Sequence, residues 1–68
     1  METVTLYDLM QEMETWYKFT PEELELAKKS KLTTANNKDL KRLYNGWVGG
    51  YYDEDPEALC LGLIVLTR

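Results

Sequence analysis

The chain has 68 residues and a formal net charge of −4, with 44% hydrophobic and 29% charged residues, a balance that excludes a disordered tail and suits one small domain. At that length folding buries only roughly 60% of the surface the unfolded chain exposes, so stability is small and a homodimer is among the expected states. With no histidine, one cysteine (Cys60) and one serine (Ser30), the chain has no Ser-His or Cys-His pair, no base titrating near neutrality and no His/Cys set for a transition metal.

In chain order, Thr5 followed by Asp8 reads as an acidic capping box. Leu6, Leu9, Met10, Met13, Trp16 and Tyr17 then recur at helical spacing, which predicts a first helix with Asp8, Gln11, Glu12 and Glu14 mostly opposite. Thr20-Pro21-Glu22-Glu23 is a stronger start signal: Thr20 as N-cap, Pro21 at the first helical position, Glu23 reaching back. Acids early and Lys28, Lys29 and Lys31 late match the dipole of a second helix ending near Leu32. Residues 33–37 form a polar turn from which Asn36 or Asn37 caps a third helix. Leu40, Leu43 and Tyr44 give that helix a buried side, and Asn45-Gly46 is expected to end it. Residues 47–54 read as a Gly- and Tyr-rich loop. Asp55-Pro56-Glu57 starts a fourth segment whose run from Ala58 to Leu66 is apolar all round. Capping favours helix there; Gly62 and the Ile64-Val65 pair favour a strand. The expected fold is therefore all-α, a bundle of about four helices spanning 1–68 as one domain, with a β alternative left open for residues 58–66.

No P-loop or GxGxxG pattern is present among Gly46, Gly49, Gly50 and Gly62. We expect no enzymatic activity, no cofactor and no metal site. Cys60, inside the apolar run, is expected to be a buried, inert thiol. That run is far shorter than the roughly 20 residues that span a bilayer. The start, Met1-Glu2-Thr3, lacks the basic and apolar regions of an export signal, so the chain is read as cytoplasmic.

Charge is segregated. Residues 1–27 carry Lys18 against seven acids; residues 28–42 carry Lys28, Lys29, Lys31, Lys38, Lys41 and Arg42 against Asp39; residues 43–68 carry four acids and Arg68. The central island reads either as solvated helix faces or as a footprint for phosphates.

The order of segments resembles lambda-repressor and Cro-type helix-turn-helix domains. Phe19 to Leu24 and Ala27 to Leu32 look like their second helix, Leu43-Tyr44-Asn45-Gly46 like the end of the recognition helix, and Pro56-Glu57-Ala58-Leu59 like the packing helix that follows. The span from Leu32 to Leu43 is about three residues longer than in that family, and Lys31 stands where glycine is common. The resemblance implies a small transcriptional regulator binding duplex DNA. Thr34, Asn36, Asn37 and Lys38 (with Ala35) would lie near bases, and Lys41 and Arg42 at phosphates.

A second reading is a protein partner. Tyr44, Trp47, Tyr51 and Tyr52 cluster around residues 48–50, and Tyr and Trp dominate interface hot spots. Trp47 is expected to complete the core, and at least one of Tyr51 and Tyr52 to face solvent. By size and composition the chain is also similar to small phage-encoded inhibitors of the anti-CRISPR kind, which block a host protein. The acidic side of the first helix, Asp8 and Glu12 with Glu22 and Glu25, would then imitate phosphates locally.

Overall fold

The computed structural model describes residues 3–68; Met1 and Glu2, part of the start read above for an export signal, lie outside them. The chain forms α1 (Leu6–Glu12), a 3-10 turn (Met13–Thr15), α2 (Pro21–Ser30), α3 (Lys38–Val48) and α4 (Pro56–Leu66). There is no β-sheet among the described residues, and the fold is an all-α bundle. The segment open to a strand reading is helical: Asp55 accepts the Ala58 N–H and Pro56 occupies the first turn, and these local signals outweigh two β-branched residues.

Caps set the helix starts as the sequence predicts. The Thr5 hydroxyl accepts the Asp8 N–H at 3.0 Å, one arm of the expected box, with no return bond from Asp8 to the Thr5 N–H. At α2 the box is complete in both directions: Glu23 N–H donates to Thr20 Oγ1 (3.1 Å), and Thr20 N–H to Glu23 Oε1 (2.9 Å). Of the two asparagines, Asn37 caps α3, its Oδ1 accepting from Leu40 N–H at 2.9 Å.

Helix ends differ from the sequence expectation in three places, each with a local cause. The apolar spacing that would carry α1 to Tyr17 breaks after Glu12, where the backbone tightens into the 3-10 turn. Met13 stays buried, while Trp16 swings out to 53% exposure. α2 stops at Ser30 rather than near Leu32, because Lys31 adopts a left-handed conformation (φ 57°). α3 runs through Asn45-Gly46 to Val48. Its true end lies four residues later: Gly50, at φ +83°, closes a Schellman arrangement in which Tyr51 N–H reaches the Gly46 carbonyl (2.8 Å) and Gly50 N–H that of Trp47 (3.2 Å). Gly46 serves another purpose. A Cβ there would lie 2.7 Å from the Tyr52 ring, so its bare backbone seats that ring against the helix.

The core is one cluster: Leu6, Leu9, Met10 and Met13, Phe19 and Ala27, Leu40, and Leu59, Cys60, Leu63 and Ile64. α1 packs on α2, α3 on α4, and α1 also reaches α4. Leu24 is half-buried beside Ala27, but Leu26 is exposed. The chain's start is tied to the α2–α3 connection. Thr5 and Thr33 form an antiparallel bridge, with Leu6 N–H donating to the Leu32 carbonyl and Thr34 N–H to that of Val4, both at 2.9 Å.

Candidate functional site

That bridge builds one end of a groove. With residues 3–5 fixed along residues 32–34, Thr3, Thr34, Ala35, Asn36, Asn37, Lys38 and Lys41 surround a cleft of about 430 Å³. A second cleft of about 410 Å³, sharing Thr3, lies between α1 and the C-terminal half of α3. Val4, Asp8, Leu9 and Glu12 form one wall; Tyr44, Trp47 and Val48 form the other. Asn37, Lys41, Tyr44 and Val48 recur at intervals of four, three and four, which puts them along one side of α3. The two clefts thus form successive parts of one groove beside that helix.

The groove is polarised. Lys38 and Lys41 mark one end. At the other, Asp8 and Glu12 stand one α1 turn apart, both exposed, facing an apolar and aromatic wall. Trp16 supports this end from behind Trp47, its ring edge-to-face with Trp47 at a centroid separation of 5.3 Å and 69° between planes. Val48 on the rim is 66% exposed. Among the described residues no group of three His, Cys, Asp or Glu side chains is placed to hold a metal ion.

The residues expected to meet bases are largely committed to the turn. Thr34 Oγ1 accepts Val4 N–H at 3.2 Å. Both ends of the Asn36 amide are engaged: Oδ1 with Thr33 N–H (2.9 Å), Nδ2 with the Lys31 carbonyl (3.3 Å). Asn37 spends its oxygen on the α3 cap. Reading adenine bidentately would require either amide to release these bonds. The connection from α2 to α3 is seven residues, 31–37, against the three to four of a helix-turn-helix.

No family model, curated protein or solved structure matches the chain.

The three cations of α3 spread over about 100° of its exposed surface, so they do not all line the groove. Successive helical residues turn by about 100°, so Lys41 faces the groove while Arg42 points toward α4, where it shares a different recess with Asp39, Leu43, Gly62, Val65 and Leu66. The aromatic cluster divides too. Tyr44 and Trp47 line the groove, and Trp47, expected in the core, is half-buried and packs partly against it. Tyr52 folds inward over Gly46, and Tyr51, stacked edge-on to it at 5.0 Å, is 81% exposed. Trp16 and Val48 were not legible as site residues. Trp16 occupies an apolar position of α1's extrapolated spacing, and Val48 lies beyond the expected end of α3.

No helix among the described residues is long and apolar enough to cross a membrane.

Proposed function

We propose that the protein is a non-catalytic binding module that holds a segment of a partner protein in the groove between α1 and α3, acting as an inhibitor or adaptor. The observation that carries this reading is the polarity of that groove, with carboxylates facing indole and phenol rings at one end and lysines at the other. The segment that fits presents an Arg or Lys beside an apolar side chain at the Asp8/Glu12 end. There the cation is attracted by both carboxylates and by the Trp47 and Tyr44 ring faces. Acidic side chains on the same segment face Lys38 and Lys41. A partner surface of that kind also accepts phosphates, so Asp8 and Glu12 act as local imitations of a nucleic-acid backbone. In this reading the module works in the cytoplasm, where Cys60 stays reduced.

The test is selection of displayed random dodecapeptides against the protein, with counter-selection against the Asp8→Asn/Glu12→Gln variant. Enrichment of a motif with a cation next to an apolar residue is expected. Trp47→Ala should weaken the enriched peptide by at least about 30-fold, the scale of a hot-spot loss. Enriched sequences that bind both carboxylate forms equally would sink the proposal.

A second reading, a DNA-binding regulator of the helix-turn-helix kind, is favoured by one observation. Lys38, Lys41, Arg42 and Asn45 are all exposed at helical spacing on the outer side of α3, a row suited to phosphates. With Thr34, Asn36 and Asn37 held in the turn, such binding rests on backbone contacts. It predicts steeply salt-dependent anisotropy on mixed-sequence duplex DNA, lost when Lys38, Lys41 and Arg42 become Glu.

A further inference from the structure

α4 is apolar on both of its sides. Leu59, Cys60, Leu63 and Ile64 fill the core, while Ala58, Leu61 and Val65, at spacings of three and four, form the opposite face. Leu61 is 50% and Val65 64% exposed. The other helices place charges outward: Asp8 and Glu12 on α1, Glu22, Glu25, Lys28 and Lys29 on α2, Lys38, Lys41 and Arg42 on α3. Past its first turn, where Glu57 is exposed, α4 carries no charge, and a helix apolar on both faces is one covered on both. At 11 residues it is about 16 Å long, far too short to cross a bilayer.

The recess beside this face indicates what covers it. Its rim on α3 carries one acid and one base, Asp39 and Arg42, one turn apart, over a floor of Leu43, Gly62, Val65 and Leu66. A Cβ on Gly62 would lie 3.1 Å from Leu43, so the missing side chain lets α3 and α4 approach closely enough for their rims to form one surface. An acid and a base in this order are complementary to their own reversed copy. If two chains pack α4 against α4 antiparallel about a two-fold axis, Asp39 of each faces Arg42 of the other, and both pairs form at once. A strongly basic or acidic partner would leave one of the two opposed.

We propose that the protein self-associates as a two-fold dimer through the Ala58-Leu61-Val65 face of α4, with reciprocal Asp39–Arg42 pairs flanking it. The interface lies on α4 and the adjoining side of α3, and leaves the α1–α3 groove open. One short helix face with its flank is a small interface beside the roughly 800 Å² per partner of a standard stable one, which points to a weak, reversible dimer.

Sedimentation equilibrium from low micromolar to millimolar protein tests this. The average mass should rise from the 8.0 kDa of one chain toward twice that value. Val65→Lys, at an exposed position, should hold it near the monomer with far-UV circular dichroism unchanged. Asp39→Arg and Arg42→Asp should each weaken association at least tenfold, and the double variant should recover it, a restoration that a merely structural effect would not produce. A monomer across the whole range overturns the proposal, as does a dimer indifferent to Val65→Lys or a double reversal no better than the single ones.

Discussion

Two single residues carry properties that can be measured on the isolated chain. Burial pushes the Cys60 thiol from an ordinary 9.0 up to about 11, with the Glu57 carboxylate adding to it. The folded chain therefore keeps its proton where the unfolded chain gives it up. The stabilisation from this site is complete below about pH 9 and is lost as pH rises through about 11. Thermal melts of the wild type and Cys60→Ala should run parallel below pH 8.5 and converge above it. At pH 8, iodoacetamide should label the native thiol far more slowly than the denatured one, as mass spectrometry would show. Lys31 is the other such residue. Its left-handed backbone (φ 57°) is a conformation a side chain disfavours and glycine accepts. Lys31→Gly should stabilise the fold by about 0.5–1 kcal/mol, read as a Tm a few degrees higher. A lower Tm would show that the lysine stem contributes more than the backbone strain costs. Glycine's commonness at this point of helix-turn-helix chains is what made Lys31 conspicuous in the sequence.

For whole elements, starts are legible and ends are not. Thr5, Thr20, Asn37 and Asp55 each cap a helix through a side chain that can be read in sequence. The ends depend on contacts made from a distance. Gly46 looks like a stop signal because glycine usually follows a helix, yet here Tyr52 returns from six residues later to fill the space above it. Substituting Gly46→Ala separates the two roles. Alanine favours helix by about 1 kcal/mol in an open position, but the 2.7 Å approach to the Tyr52 ring predicts net destabilisation and release of that ring. Near-ultraviolet circular dichroism would detect the loss of its fixed environment. The groove is half legible for the same reason. Tyr44, Trp47, Lys38 and Lys41 can be picked out by residue type, and Asp8 and Glu12 by charge. That they face one another follows from the Thr5–Thr33 bridge, a pairing over 28 positions with no local signature. Arg42, grouped with Lys41 by charge, is separated from it by one step of helical rotation.

Across the whole molecule, stability rests on a single small core. Leu6, Leu40, Leu59 and Leu63 are fully buried, and removing a leucine side chain from such a site costs about 2–5 kcal/mol. A domain of this size holds roughly 3–5 kcal/mol in total. Leu63→Ala should therefore lower Tm by more than about 10 °C and leave a substantial unfolded fraction at 37 °C. Retention of the wild-type Tm would mean that the surrounding side chains collapse into the space.

The pairing of α1 with α2 and of α3 with α4 has a consequence for the molecule's breathing. The groove follows the seam between these two hairpins, which approach each other less extensively than the helices inside each pair do. Transient parting of the hairpins would widen the groove before either hairpin melts, so amides of residues 3–5 and 32–34, which stitch the seam at one end, should exchange with solvent ahead of those within α3 and α4. A segment lodged between α1 and α3, as proposed above, would span both hairpins and act as a clamp. Its arrival should slow that exchange on the two sides together, even at amides it never touches.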